Sequence, residues 1–376
     1  MKEINNELAL LGFSYFQKIG PVKLGLLNKY FPNFVEAFLA SSFDLEKAGL
    51  GQKLVSEFIV WRQKFNFDKA LQDLRNENIN FITHSENNYP SLLKELPSPP
   101  YLLYYQGDIN NLNDGNKYRL AIVGSRKHSA YSEKIINEFV PDLISNNLEI
   151  ISGLALGVDT LAHQKTLDNH GITIAVLGTG LDSNSLYPYV NRELAKRIIN
   201  NNGLIVSEFP PGTQPLKQNF PQRNRIIAGL CQATLVIEAQ IKSGSLITAN
   251  YALDQNREVL AVPGNIYSEF SEGTNNLIRS GAKTILKAED ILEVFKIESI
   301  QKQKNKKQIN KEAIFENEIE KKIYKIIQEA GAKGEVLTSD EIVKISKLDT
   351  ALINSKLSIL ELRGIAKSNE IGYYIN

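Results

Sequence analysis

Gly124-Ser125-Arg126 joins a glycine that admits close backbone approach, a hydroxyl, and a guanidinium whose fork suits a phosphate. Lys242-Ser243-Gly244-Ser245 has a related composition, a backbone nest with two hydroxyls and one positive charge. In Phe220-Pro221-Gln222-Arg223-Asn224-Arg225 two arginines flank an asparagine, and a helix is predicted to start near Pro221. That puts Arg223 and Arg225 at the positive end of a helix dipole, where cations are disfavoured unless an anion is present. The conflict points to phosphate binding, with a structural ion pair as the alternative. Neither glycine-containing loop has the GxxxxGK[ST] layout of an ATPase, so the chemistry suggested is a phosphate grip without hydrolysis.

Ser152-Gly153-Leu154-Ala155-Leu156-Gly157-Val158-Asp159 reads as another strand-to-helix junction, with Gly153 and Gly157 allowing tight backbone packing. Its glycines do not fit GxGxxG. His163 lies four residues after Asp159, so both fall on one helix face. A catalytic pair would need a nucleophile or a metal, and neither is evident. The expectation is a histidine packed on its own helix and hydrogen-bonded to Asp159. The four histidines, His84, His128, His163 and His170, form no ligand pair, and Cys231 is the single cysteine. No disulfide, metal site or cofactor is therefore expected.

These residues need elements that deliver them to one place. Leu120-Ala121-Ile122-Val123 is a short apolar strand running into Gly124. Further strands are predicted at 149–151, 172–177, 204–206, 234–237 and 258–262, most of them ending in Gly, Ser, Pro or an acidic residue. Short apolar strands separated by helical stretches describe a parallel α/β sheet covered on both faces. In such sheets ligands bind beyond the carboxyl ends of the strands, near the topological switch point.

Around this core, residues 119–295, the chain is predicted to carry four other parts. Residues 1–80 read as a helical-hairpin domain of the SAM or helix–hairpin–helix kind, with glycine turns at Gly20 and at Gly49 to Gly51. Residues 81–118 form a connector in which Tyr101-Leu102-Leu103-Tyr104-Tyr105, held extended by Pro99 and Pro100, is an added edge strand. Residues 296–312 form a basic linker, since Gln301-Lys302-Gln303-Lys304-Asn305-Lys306-Lys307-Gln308 has no apolar residue. Residues 313–376 have a winged-helix-like outline. Ile314, Phe315 and Ile319 open its first helix, Thr338 or Ser339 caps a second, 351–362 is a third, and a hairpin follows from Gly364 through Ile371 to Ile375. The third helix and its end carry only Lys356 and Arg363 as bases, so a protein-binding or structural role is favoured over DNA contact there.

Lys plus Arg number 43 and Asp plus Glu 42, a net charge of +1, which excludes bulk coating of nucleic acid but not a local basic cleft. With no secretory leader pattern and no run of 18 apolar residues, a cytoplasmic protein is expected.

As an ordered set, the Ser152 to His163 stretch, Ala175-Val176-Leu177-Gly178-Thr179-Gly180-Leu181-Asp182, Tyr187-Pro188, Ser207-Glu208-Phe209-Pro210-Pro211-Gly212, the Phe220 to Gly229 stretch, Lys242-Ser243-Gly244-Ser245-Leu246-Ile247-Thr248 and Val262-Pro263-Gly264 resemble the DNA-processing protein A (DprA, or Smf) family. The likeness runs over residues 119–290, with weaker likeness to that family's helical N-terminal and winged-helix C-terminal domains. It implies a Rossmann-like, non-enzymatic protein that binds single-stranded DNA, protects it during natural transformation, loads the recombinase RecA and dimerises through the Rossmann-like domain. It places Arg126 in the DNA pocket, alongside neighbouring basic and polar residues. One departure is Leu156, where the family usually has a basic residue. It implies a weaker phosphate contact there, or a shift towards Lys242. The competing reading is a nucleotide-processing Rossmann enzyme of the lysine-decarboxylase-like kind, whose PGGxGTxxE signature is only approached by Ser271-Glu272-Gly273-Thr274-Asn275-Asn276. A purely structural or interaction module is the third.

Overall fold

The structure, a computed structural model, describes residues 4–113, 117–297, 318–331, 336–363, 365–369 and 372–374. The chain divides into two compact units, Met1–Glu298 and Ser299–Asn376. The lysine-rich stretch 301–312, Ile314, Phe315, Gly364, Ile371 and Ile375 lie outside the described residues.

The first unit is an α/β fold around a nine-stranded sheet. In chain order the strands are β1 (Asn80–Thr83), β2 (Leu102–Gly107), β3 (Tyr118–Val123), β4 (Leu148–Ser152), β5 (Thr173–Leu177), β6 (Leu204–Ser207), β7 (Ala233–Val236), β8 (Glu258–Ala261) and β9 (Lys283–Thr284). Their spatial order is β1-β2-β6-β5-β4-β3-β7-β8-β9. β3 to β9 run parallel, while β2 is added antiparallel beside β6 and β1 antiparallel beside β2. The predicted edge strand at 101–105 therefore exists as β2, but it is covered by β1, which the sequence reading did not anticipate. From β3 the chain winds first through β4, β5 and β6, then crosses back to β7 and continues outwards. This reversal is the switch point of a Rossmann-like sheet, and it sets the ends of β3 and β7 side by side.

Strand residues alternate between two cores, as a period of two demands. Ala121, Val123, Ile151, Ile174, Val176 and Val206 face one side. On the other, Leu120, Ile122, Ile150 and Leu235 pack with Phe139 and Ile291. That same face continues through Ala175, Leu177 and Ile205 into the N-terminal helices, where Phe13, Phe38 and Phe58 meet edge-on or stacked at 5.2–5.6 Å. These helices start at side-chain caps from Asn5, Asn33, Ser41 and Asn66, and at the glycines Gly20 and Gly51. They share their core with the sheet: Phe34 packs on Tyr101, and Gln17 Nε2 donates to Thr213 Oγ1 at 2.7 Å.

In the second unit three helices, Glu318–Gly331, Ser339–Ser346 and Thr350–Leu362, enclose a small core with Ile323, Ile342, Ile353 and Leu357. Thr338 caps the second through a capping box with Glu341. Two short strands, Lys367–Ser368 and Tyr373–Tyr374, pair antiparallel. Lys356 and Arg363 both pair with Glu320, a carboxylate with no solvent exposure. Among the described residues, no helix is long and apolar enough to cross a membrane.

Candidate functional site

A cavity of about 700 Å³ opens at the switch point, lined by residues that follow β3 and β7 and by the start of the helix Asn219–Gly229. Of the sequence-predicted site residues, Gly124, Ser125, Arg126, Arg223, Asn224, Ser243, Gly244 and Ser245 meet there, whereas Gly153, Arg225 and Lys242 do not line it.

Two turns hold each other in place around it. Gly157 has φ +80°, and a Cβ on it would stand 2.2 Å from the Ser125 carbonyl oxygen. Only glycine permits both. Val158 N donates to that same carbonyl at 3.2 Å, and a Cβ on Gly124 would strike the Val158 side chain. The Gly124-Ser125-Arg126 turn is thus shaped by residues more than thirty positions later. The Ser125 hydroxyl accepts from Lys127 N and donates to Lys127 O, so it closes its own turn rather than offering a proton to a ligand. What the turn presents outward is Arg126 and Lys127, both exposed. Arg126 lies over the Phe220 ring at 5.5 Å. Lys217 is a further exposed residue of the lining. None of these three has an ion pair among the described residues.

The floor is different. Arg223 is 5% exposed. Its Nη1 donates to Gly153 O at 2.6 Å and to Val176 O, and its Nε donates to Asn224 Oδ1. Gly153 is glycine because the guanidinium occupies the place of a side chain: a Cβ would come within 2.5 Å of Nη1. Burial lowers the Arg223 pKa to about 10, opposed by Asp159, so the group stays charged at neutral pH. Asp159 accepts from Gly153 N and Ala155 N, while burial pushes its carboxyl up against the pull of Arg223. Asn224 Nδ2 reaches Gly244 O at 3.2 Å, tying this helix to the next phosphate-like loop. There Ser243 caps the helix Gly244–Asp254 by accepting from Ser245 N.

Two expectations change on this geometry. Arg225 does not turn to the cavity: its Nη2 takes both oxygens of Glu208 at 2.6 and 2.5 Å, and its Nη1 donates to Ser98 O. For Arg225 the ion pair, not a bound anion, supplies the negative charge that the helix start demands. His163 is not bonded to Asp159. Its Nδ1 donates to Thr173 Oγ1 at 2.7 Å, because the threonine proton is already given to Ile150 O. Burial lowers its pKa to about 3, so it is neutral. Leu156 sits in the turn before the helix Val158–Asp168 and is exposed, outside the cavity lining. Ser271 and Gly273 serve a helix start, where Gly273 N donates to Ala239 O at 2.7 Å. Lys127 and Lys217 were not singled out in the sequence as ligand-binding groups.

The arrangement suits a polyanion with flat, apolar parts: exposed cations and aromatic Phe220 and Tyr187 share one cavity. A family model for DNA recombination-mediator protein A matches residues 80–296. Protein Smf of Synechocystis sp. is 40% identical over 291 residues, which is 77% of this chain and 72% of that protein. The X-ray structure of DNA processing protein A from Streptococcus pneumoniae superimposes with a TM-score of 0.66 at 34% identity, covering 79% of this chain and 99% of that one. DNA processing protein A from Helicobacter pylori, whose structure was described for its single-stranded DNA binding mode, gives 0.51 at 30% identity, over 58% of this chain and 95% of its own. With more than half of its length matched by the family model, and a relative 40% identical over 77% of this chain, the chain belongs to the DNA recombination-mediator protein A family.

Proposed function

We propose that this protein binds single-stranded DNA in the switch-point cavity as a non-enzymatic carrier, shields the strand during DNA uptake in the cytoplasm, and delivers it to the RecA recombinase. The observation that carries the reading is the set of three exposed cations, Arg126, Lys127 and Lys217, without ion pairs among the described residues and facing one cavity with Phe220. Cations so placed meet phosphates, and an aromatic ring accepts a base of any identity. The Helicobacter pylori relative, described for its single-stranded DNA binding, supports the choice of strand. A non-catalytic role is supported by the commitments of the polar groups. Asp159 is held by backbone amides and Arg223, and His163 is neutral and bonded to Thr173. Transfer to RecA and a homodimer built on the Rossmann-like unit rest on the family resemblance.

The deciding experiment is a gel shift of single- and double-stranded oligonucleotides across salt. Single strands should bind more tightly, with affinity falling as salt rises from about 50 to 200 mM. Binding that prefers duplex, or tight binding that ignores salt, overturns the phosphate account. Light scattering on the purified protein tests the dimer.

A further inference from the structure

On one side the cavity wall continues outward as a row of rings. Phe220 and Tyr187 have centroids 5.9 Å apart, and Tyr187 and Tyr189 are 6.0 Å apart with planes at 78°. Phe220 and Tyr187 line the cavity, while Tyr189 lies beyond it. Tyr187, Tyr189 and the next residue, Val190, are 36%, 53% and 74% exposed. Single exposed apolar side chains are ordinary, but a contiguous run joined to a cavity is not.

The row is held in place from behind. Tyr189–Asn191 forms one short 3-10 turn leading into the helix Arg192–Asn200. Asn191 is 4% exposed, and its Nδ2 donates to Leu154 O at 2.8 Å and Thr160 Oγ1 at 2.7 Å. Arg192 stands 4.5 Å over the Tyr189 ring. It has no ion pair among the described residues, and its buried Nε has no hydrogen-bond partner there.

Exposed rings at this spacing, with a cation beside the last, match the bases and phosphates of a single strand. A duplex keeps its base faces stacked and has none to offer. An apolar protein partner would also fit rings, but the row starts in a wall lined by Arg126 and Lys217, and that continuity selects the nucleic acid.

We propose that Tyr187 and Tyr189, with Arg192 behind Tyr189, form a base-stacking shelf that receives the nucleotides leaving the cavity. This rests on the single-strand reading of the cavity. It adds a direction of exit and a length dependence, because only oligonucleotides long enough to reach Tyr189 gain from the shelf.

The test uses the full chain, oligothymidylates of increasing length, and abasic oligomers of the same lengths. Tyr189→Ala should weaken binding of the long oligothymidylates by about fivefold or more, the value of one stacked base. Short oligothymidylates and abasic strands should bind as they do to the unaltered protein, and Tyr189→Phe should restore the loss. Equal binding of long oligothymidylates by Tyr189→Ala and the unaltered protein overturns the shelf while leaving the cavity reading intact. A loss of the same size on abasic strands also overturns it, since no base would be involved. If the unaltered protein binds no single strand of any length, the parent reading itself fails.

Discussion

Arg126 and Arg223 border the same cavity, one at its rim and one in its floor, and they are opposite in circumstance. The rim arginine is exposed and lies over an aromatic ring, while the floor arginine is buried among two carbonyls, an amide oxygen and a nearby carboxylate. Lys356 and Arg363 in the second unit resemble the floor, since both pair with buried Glu320. A basic residue in a sequence is thus either a ligand contact or part of the scaffold, and its partners within the fold decide which.

Substitutions that treat the two arginines alike should separate them most clearly. Arg223→Ala leaves buried Asp159 without its cation and two carbonyls without a donor, so stability should fall by about 3–5 kcal/mol in urea unfolding. A loss below about 1 kcal/mol would show that Arg223 is not part of the scaffold. Arg126→Ala should leave the unfolding midpoint unchanged and weaken single-strand binding by about 1.5–3 kcal/mol, roughly tenfold or more. Unchanged affinity in the folded variant would remove Arg126 from the interface.

Acid should act on a buried group beside the floor. His163 has its pKa lowered to about 3 from an ordinary 6.5, mainly by burial and further by Arg223. The unfolded chain then binds the extra proton, so the contribution is full above 6.5 and is lost as pH falls from there towards 3. The slope from this one group is at most about 1.4 kcal/mol per pH unit. Urea midpoints at pH 7 and pH 5 measure it, and His163→Asn should flatten the difference. The smallest effect belongs to the second unit. A chain ending at Glu298 should keep its fold and lose only a few-fold in affinity, a loss that high salt abolishes. A salt-independent collapse of binding would show that the second unit makes specific contacts and that the rim is half a site.

The contrast between rim and floor was only partly legible in the sequence. The strands β3 to β8 could be read because each is a short apolar run buried on both faces, and their ends delivered the right loops to one edge. β1 reads Asn-Phe-Ile-Thr and β9 is only Lys283–Thr284, too short and polar for such a signal. Arg225 looked like a ligand residue because the helix start lacked a visible anion. Glu208, which supplies it, directly follows β6, 17 residues earlier, and only the fold brings the two together. The bond between His163 and Thr173 was hidden for the same reason: spacing within one helix favoured Asp159, while the true partner came from β5. Lys127 and Lys217 carry no pattern of their own and become site residues only through the cavity they border.

The shared core of the N-terminal helices and the sheet has a consequence for synthesis. Gln17 must wait for Thr213, a separation of 196 residues, before its hydrogen bond can form. At about 5–20 residues per second, that is roughly 10–40 s during which the helices have left the ribosome with their sheet-facing side open to water. Phe34 and Ser14 find Tyr101 and Tyr104 sooner, but those rings lie just before and within β2, whose antiparallel neighbour β6 is still a hundred residues away. The side of the N-terminal helices that carries Ser14, Gln17 and Phe34 is therefore open to nonnative association until the residues it meets have been made.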